Sequence, residues 1–258
     1  MTLTLRRLAG FGPAFVLAVA LLAFWEIYVR AGWINPIYLP APTAIVRALF
    51  NNWDVISVNT MQTLLETVIG MVAATVLGLI LAVMLGISLW LRRAVYPLLI
   101  VSQTIPIIAL APLLLLWMGY DLEPKVLVVA LYCFFPIAVA CADGLSGADP
   151  ELIKLMQSMK ASRWQILWLV RLPGAMPSFF SGLRIAATYS VTGAIFGEYV
   201  GGIQGLGIYM QSVFNSRVIV LLFAAIVVTA VLSLLLFGLV SFIERIALPW
   251  YHGAVARA

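Results

Sequence analysis

Cys133 and Cys141 are the two thiols of this chain, and both fall inside one apolar run. No CxxC pair and no histidine pair accompanies them, so their spacing builds no metal site; they read as small apolar residues of a helix. His252, the single histidine, lies beyond the last apolar run, which leaves no imidazole cluster for zinc or a proton relay. A G-x-x-x-x-G-K-[ST] phosphate cradle is absent. The glycine-rich GGIQGLG at 201–207 follows no strand and lacks dinucleotide-binding spacing, so its glycines serve a turn or a close helix approach. Neither catalytic residues nor metal ligands are expected, and a membrane enzyme, which would cluster His, Cys or carboxylates, fits poorly.

What remains is polar chemistry inside apolar runs, where ionisable groups are costly and therefore informative. Glu26 and Glu198 fall toward the ends of the first and fifth runs and Glu66 opens the second, positions from which a carboxylate reaches water or a local partner. The triplet Ser102-Gln103-Thr104 precedes Ile105-Pro106 inside the third run, and a proline there frees a backbone carbonyl. Irregular backbone at depth is tolerated where it lines protein or a cavity. Thr188, Tyr189 and Thr192 put hydroxyls on neighbouring positions of the fifth run. Gln103, Thr104, Tyr189 and Thr192 are the candidates for lining a solute pathway; the alternative is polar packing against a neighbouring helix.

The elements that must carry these residues follow from composition. The chain has 258 residues, 64% of them apolar and only 10% charged, with a mean hydropathy of +1.10. Globular domains are about 45–50% apolar and about 25% charged. An all-α integral membrane protein of one domain, residues 1–258, is expected. A helix needs about 20 apolar residues to cross a bilayer. Six runs approach that length, at about 11–29, 67–90, 94–118, 125–142, 179–200 and 218–243. The fourth is short and the third is interrupted. Arg6 and Arg7 before the first run suggest a signal peptide, but the run ends in Trp25, Glu26, Tyr28 and Arg30 and reads as an uncleaved span.

Basic residues orient the spans. With the N-terminus in the cytoplasm, eleven lie inside (Arg6, Arg7, Arg92, Arg93, Lys154, Lys160, Arg163, Arg171, Arg184, Arg245, Arg257) and four outside (Arg30, Arg47, Lys125, Arg217). Both termini are thus expected to be cytoplasmic. The segment 30–66 lies outside, with LPAPTAIVRALF as a short interfacial amphipathic helix. No interleaving of basic and aromatic residues suggests nucleic acid.

The segment at about 143–178 has its own pattern. Asp149 is a candidate N-cap, with Pro150 at the first helical position and Glu151 in the first turn. Leu152, Leu155, Met156 and Met159 then recur at helical spacing, with Lys154 between them. A second helix, Ser162 to Val170, puts Trp164, Leu167 and Trp168 on one face and ends at Leu172-Pro173. Such helices lie on headgroups or fill a groove on a partner.

The segment resembles the signature loop of permease subunits of bacterial ABC importers, E-A-A-x-x-x-G-x(9)-I-x-L-P. Aligned on VRLP, Val170 takes the Ile position, Lys160 falls on the Gly and Lys154-Leu155-Met156 on E-A-A. ASRWQ, LPGAMPSFFSGLR, LPAPTAIVRAL, IPIIALAPLLLLWMGY and GEYVGGIQGLG are similar to the nitrate/sulfonate/taurine branch of that family. The E-A-A triplet and its Gly are absent from this chain. The resemblance implies a type I ABC importer permease fold, with about six transmembrane helices and cytoplasmic coupling helices between spans four and five. It implies as partners two ABC ATPase subunits holding ATP and Mg, a second permease copy (a homodimer) and an extracytoplasmic solute-binding protein, in a bacterial inner membrane. This chain would bind no cofactor. Glu151, Lys154, Leu155, Met156, Met159, Lys160, Ala161, Ser162 and Trp164 would dock on the ATPase. Within the branch the sequence looks most like permeases for pyrimidine precursors of thiamine, with riboflavin, sulfonate/taurine and nitrate as alternatives. A secondary transporter would call for deep charged relays and inverted repeats, which are not evident.

Overall fold

The computed structural model describes residues 2–251, with side chains from residue 12 onward apart from residue 89. His252 and Arg257 lie outside the described residues, as do the side chains of Arg6 and Arg7. The helices are α1 (Thr2–Arg30), α2 (Pro42–Asn51), α3 (Trp53–Ile87), α4 (Leu89–Ser102), α5 (Ile107–Met118), α6 (Leu122–Ser146), α7 (Pro150–Ser158), α8 (Arg163–Ile166), α9 (Leu172–Gly201), α10 (Leu206–Asn215) and α11 (Ile219–Ala247), with a π-turn (Leu167–Arg171) joining α8 to α9. Five helical segments are long and apolar enough to cross a membrane, and α4 with α5 forms a sixth, bent by 94°.

The chain divides into two compact units, one of residues up to Val58 with Tyr209–Val228, the other of Asn59–Ile208 with the stretch from Thr229 onward. In the first, Pro42 opens α2 and Ala41 supplies no side-chain cap. The orphan amide of Thr43 instead donates to Glu26 Oε2 at 3.0 Å, and the Thr43 hydroxyl donates to Glu26 Oε1 at 2.8 Å. Arg30 Nε donates to the same carboxylate at 2.5 Å. Glu26 thus places a negative charge at the start of α2, where the helix dipole favours it. Trp25 and Phe223 meet at a centroid distance of 6.0 Å.

The second unit is built on α3, α6 and α9. Gly70, Gly78 and Gly86 recur every eight residues along α3, and a Cβ on each would meet Val129, Ile137 and Leu145, spaced identically along α6. Between apolar helices in lipid, small residues permit the approach that dispersion needs. The matching order shows that α3 and α6 run in the same direction. The chain between Ile87 and Leu122 therefore travels back along α3 by roughly 24 Å, taking 1.5 Å per residue from Gly70 to Gly86. The α4–α5 pair is accordingly a broken crossing, and the described chain has six. Helix α9 runs opposite to α6 and approaches it most closely at Gly182, where a Cβ would stand 2.5 Å from Pro136 O.

The third run is interrupted where the sequence places the break: Ser102 ends α4 and Pro106 is the N-cap of α5, because proline at 106 cannot continue the ladder. Three other expectations are corrected. The fourth is not short, since α6 continues through Pro124 and Lys125 at one end and to Ser146 at the other. Glu66 does not open the second span; α3 begins at Trp53, and Glu66 is fully buried within it. The second loop helix does not end at Leu172-Pro173. The π-turn bonds the Leu172 amide to Leu167 O, and this wider turn takes the proline ring off the carbonyl it would otherwise strike.

Candidate functional site

Three features of the second unit combine unusual geometry with exposed or polar side chains. The first is the α7–α8 loop. Asp149 caps α7 by accepting from the Glu151 amide at 2.8 Å, as its position before Pro150 suggested. At the other end Lys160 has φ 57°, a left-handed residue that is not glycine. Its amide donates to Gln157 O at 2.9 Å and the Ala161 amide donates to Met156 O at 3.0 Å. These two bonds form a Schellman cap, which stops the helix and turns the chain. Ser162 then opens α8 with a reciprocal cap: Gln165 N donates to Ser162 Oγ at 3.2 Å, and Ser162 N donates to Gln165 Oε1 at 2.7 Å. The loop is short and capped on both sides, because only four residues, Met159 to Ser162, separate the two helices and each helix end is closed by its own cap.

Its faces are divided. Leu155, Met159, Trp164 and Trp168 are more than half exposed. Met156 and Ala161 are half-buried, while Glu151, Lys154, Lys160 and Ser162 are exposed. Ile166 and Leu167 are buried, so Leu167 does not share the exposed face with Trp164 and Trp168: the π-turn begins at Leu167 and directs it inward. Arg171 Nη1 donates to Gly86 O at 2.8 Å, tying the turn to the end of α3.

The second feature is a cavity of about 500 Å³ whose lining includes Gln103, Tyr132, Phe135, Pro136 and Tyr189. Gln103 arrives from the C-cap of α4, at the break in the third crossing, and Tyr189 from α9. The structure therefore brings these two candidates together. Thr104 and Thr192 are not part of the lining; the Thr104 hydroxyl donates back to Val101 O at 2.7 Å, and Thr192 is exposed. No lining residue carries a charge.

The third feature is a polar clamp around GGIQGLG. Thr63 Oγ1 donates to Glu198 Oε1 at 2.6 Å and accepts from the Leu206 amide at 2.8 Å. The Gly207 amide donates to Glu198 Oε2 at 2.5 Å, and the Gly205 amide to Asn59 Oδ1 at 2.9 Å. Gly205 has φ +134°, and a Cβ there would collide with the Glu198 carboxylate. Both needs, positive φ and close approach, explain the glycine. Beside the clamp Lys125, 5% exposed, stands 3.7 Å from Glu66 Oε1. Lys125, counted above with the loop charges, is thus inside the packed bundle. Fourteen residues before Glu198 along α9, Arg184 Nη1 donates to buried Glu244 Oε2 at 2.6 Å. The sequence reading missed Thr63, Asn59 and Glu244. Their signal is weak, since a polar residue in a span does not announce its partner.

Residues 74–247 match the family model described as the binding-protein-dependent transport system inner membrane component. The chain is 36% identical over 226 residues to a probable ABC transporter permease protein of Haemophilus influenzae, covering 87% of this chain and 91% of that one. It is 37% identical to the formylaminopyrimidine transport permease protein of Halalkalibacterium halodurans, over 89% and 92% of the two chains. To the riboflavin transport system permease protein of Chloroflexus aurantiacus it is 38% identical, over 91% and 88%. Among solved structures it superimposes on a chain of the inward-facing MetNI methionine ABC transporter with a TM-score of 0.66 at 22% identity, covering 74% of this chain and 95% of that one. The fold is that of a type I ABC importer permease, and the chain belongs to the family of binding-protein-dependent transport system inner membrane components.

Proposed function

We propose that this permease forms the pathway for a small, flat, uncharged nitrogen heterocycle, with a pyrimidine precursor of thiamine as the first choice, and that the α7–α8 loop couples the pathway to ATP. The carrying observation is continuity. The loop's second helix passes through the π-turn into α9 without a break, and α9 supplies Ile185 and Tyr189 to the cavity. From Trp164 to Tyr189 the rod is roughly 37 Å long at 1.5 Å per residue. A push on the capped loop is therefore delivered to the cavity wall. Two ATPase subunits, which hold ATP and Mg, supply the push; this chain binds no cofactor. Two identical permeases line the pathway, an extracytoplasmic binding protein delivers the solute, and both termini face the cytoplasm of a bacterial inner membrane.

The solute class rests on the cavity's chemistry. Tyr132, Phe135 and Tyr189 offer rings, and Gln103 offers one amide able to donate and accept. An anionic solute such as nitrate or a sulfonate calls for a cationic partner, which the lining lacks. Two of the relatives above are named for pyrimidine and flavin solutes, in keeping with this chemistry. The test is uptake by cells carrying the permease with its ATPase and binding protein. Labelled formylaminopyrimidine is expected to accumulate, with excess unlabelled taurine or nitrate failing to compete. Uptake of taurine in place of the heterocycle would reject the assignment.

A further inference from the structure

A second cavity, of about 520 Å³, lies behind the α7–α8 loop, where Ser88, Gln157, Arg163 and Arg171 face it beside Gly86 and Leu167. Its lining holds two guanidinium groups and no carboxylate. Among the described residues neither arginine has an ion pair: the carboxylates that are paired serve Arg30, Arg92, Lys125 and Arg184. Arg171 spends one nitrogen on Gly86 O, yet its Nε is buried with no acceptor. Arg163 and the Arg171 nitrogens not spent on Gly86 O are the cationic groups the cavity offers to an acceptor. A smaller adjoining cavity of about 240 Å³ shares Arg171 and adds Arg92, which is already held by Asp143 and Ser146. Ser88, the N-cap of the fourteen-residue α4, lines the cavity together with Gly86 and Ile87 at the end of α3, so the two helix dipoles offset there and the charge of the cavity is that of its arginines.

We propose that this cavity binds a phosphate group, carried on the headgroup of an anionic phospholipid. Guanidinium forks match phosphate oxygens in geometry and charge, and basic pockets between transmembrane helices hold anionic headgroups. The surroundings match headgroup depth. Trp90 is 77% exposed just after the apolar end of α3, and Arg93 is exposed beside it; tryptophan with arginine marks the membrane interface. The cavity also lies on the bundle side of the loop, away from Leu155 and Met159. A headgroup there would brace the π-turn through which the proposed coupling passes. Which leaflet supplies it follows from the orientation proposed above; the binding itself does not depend on that orientation.

The test uses the full-length permease in a neutral maltoside, stripped of lipid. Native mass spectra and melting temperatures are recorded with dioleoylphosphatidylglycerol, dioleoylphosphatidylcholine or inorganic phosphate. Phosphatidylglycerol is expected to bind about tenfold more tightly than phosphatidylcholine, and Arg163→Gln and Arg171→Gln are each expected to weaken it about fivefold or more. Arg93→Gln, outside the cavity, should leave the preference intact. Arg171→Gln also loses the tie to Gly86 and can unfold the loop; Arg163 has no such bond, so its variant decides. Displacement of the lipid by millimolar phosphate, with the same dependence on both arginines, would support the phosphate site and assign it to the free ion. Equal binding of the two lipids, or an Arg163→Gln protein that keeps the full preference, would overturn the proposal. So would Arg163-dependent binding seen only on addition of the ATPase, because a protein carboxylate would then be the occupant.

Discussion

The amide of Ala161 donates to the carbonyl of Met156 across a lysine with φ 57°, so the joint of the α7–α8 loop closes around a residue whose side chain disfavours that conformation. A Cβ in the left-handed region costs roughly 1 kcal/mol. Lys160→Gly is therefore expected to stabilise the loop by up to about 1 kcal/mol, read as a rise in the permease's melting temperature or as slower proteolysis at 159–162. A lower melting temperature would mean that the lysine side chain holds the joint.

The cavity makes separate demands of the protein. Gln103→Ala and Tyr189→Ala are each expected to reduce heterocycle uptake up to about tenfold, the worth of one hydrogen bond or ring contact. ATPase recovery and membrane insertion should stay at wild-type level. Unchanged uptake in both variants would assign these side chains to packing.

Glu198 is expected to matter for stability rather than uptake chemistry. Glu198→Ala leaves the Gly207 amide without its acceptor, at about 1–3 kcal/mol, while the Thr63 hydroxyl keeps Asn59 O at 3.1 Å; the variant should lower the melting temperature and loosen GGIQGLG to hydrogen exchange. Glu198→Gln keeps one oxygen and should lose less. Equal melting of Glu198→Ala and wild type would show that the clamp contributes nothing.

Much of this was legible before any coordinates. The Asp149-Pro150-Glu151 start, the six apolar runs and the joint at Lys160 are written in local chemistry, and local chemistry survives folding. Pro106 marked the break in the third crossing but not its 94° bend, which depends on where α5 finds packing. Pro173 misled because the rule that proline ends a helix assumes an α-turn, and the π-turn at Leu167–Arg171 relaxes it. The eight-residue spacing of Gly70, Gly78 and Gly86 is visible in the chain, but its meaning needs the equal spacing of Val129, Ile137 and Leu145 on another helix. Thr63 and Glu198, 135 residues apart, meet only in the fold.

Orientation is checked by cysteine accessibility. In a background lacking the buried Cys133 and Cys141, Ser162→Cys should react with a membrane-impermeant maleimide only when the cytoplasmic side is opened. Asn51→Cys should react in intact spheroplasts. The reverse pattern would invert the topology and remove the loop from the side where ATP is.

The central claim is that the α7–α8 loop is the seat of the ATPase, and recovery of that subunit on tagged permease in detergent tests it most directly. Met156→Asp puts an unpaired charge into the apolar contact, a change expected to cost several-fold or more in recovery. Lys160→Glu keeps the backbone conformation, reverses the charge, and should weaken recovery most at low salt, where screening is least. Permease yield and melting temperature report folding. The account predicts a permease that folds but recovers little ATPase in both variants; a full complement of ATPase on both would contradict it.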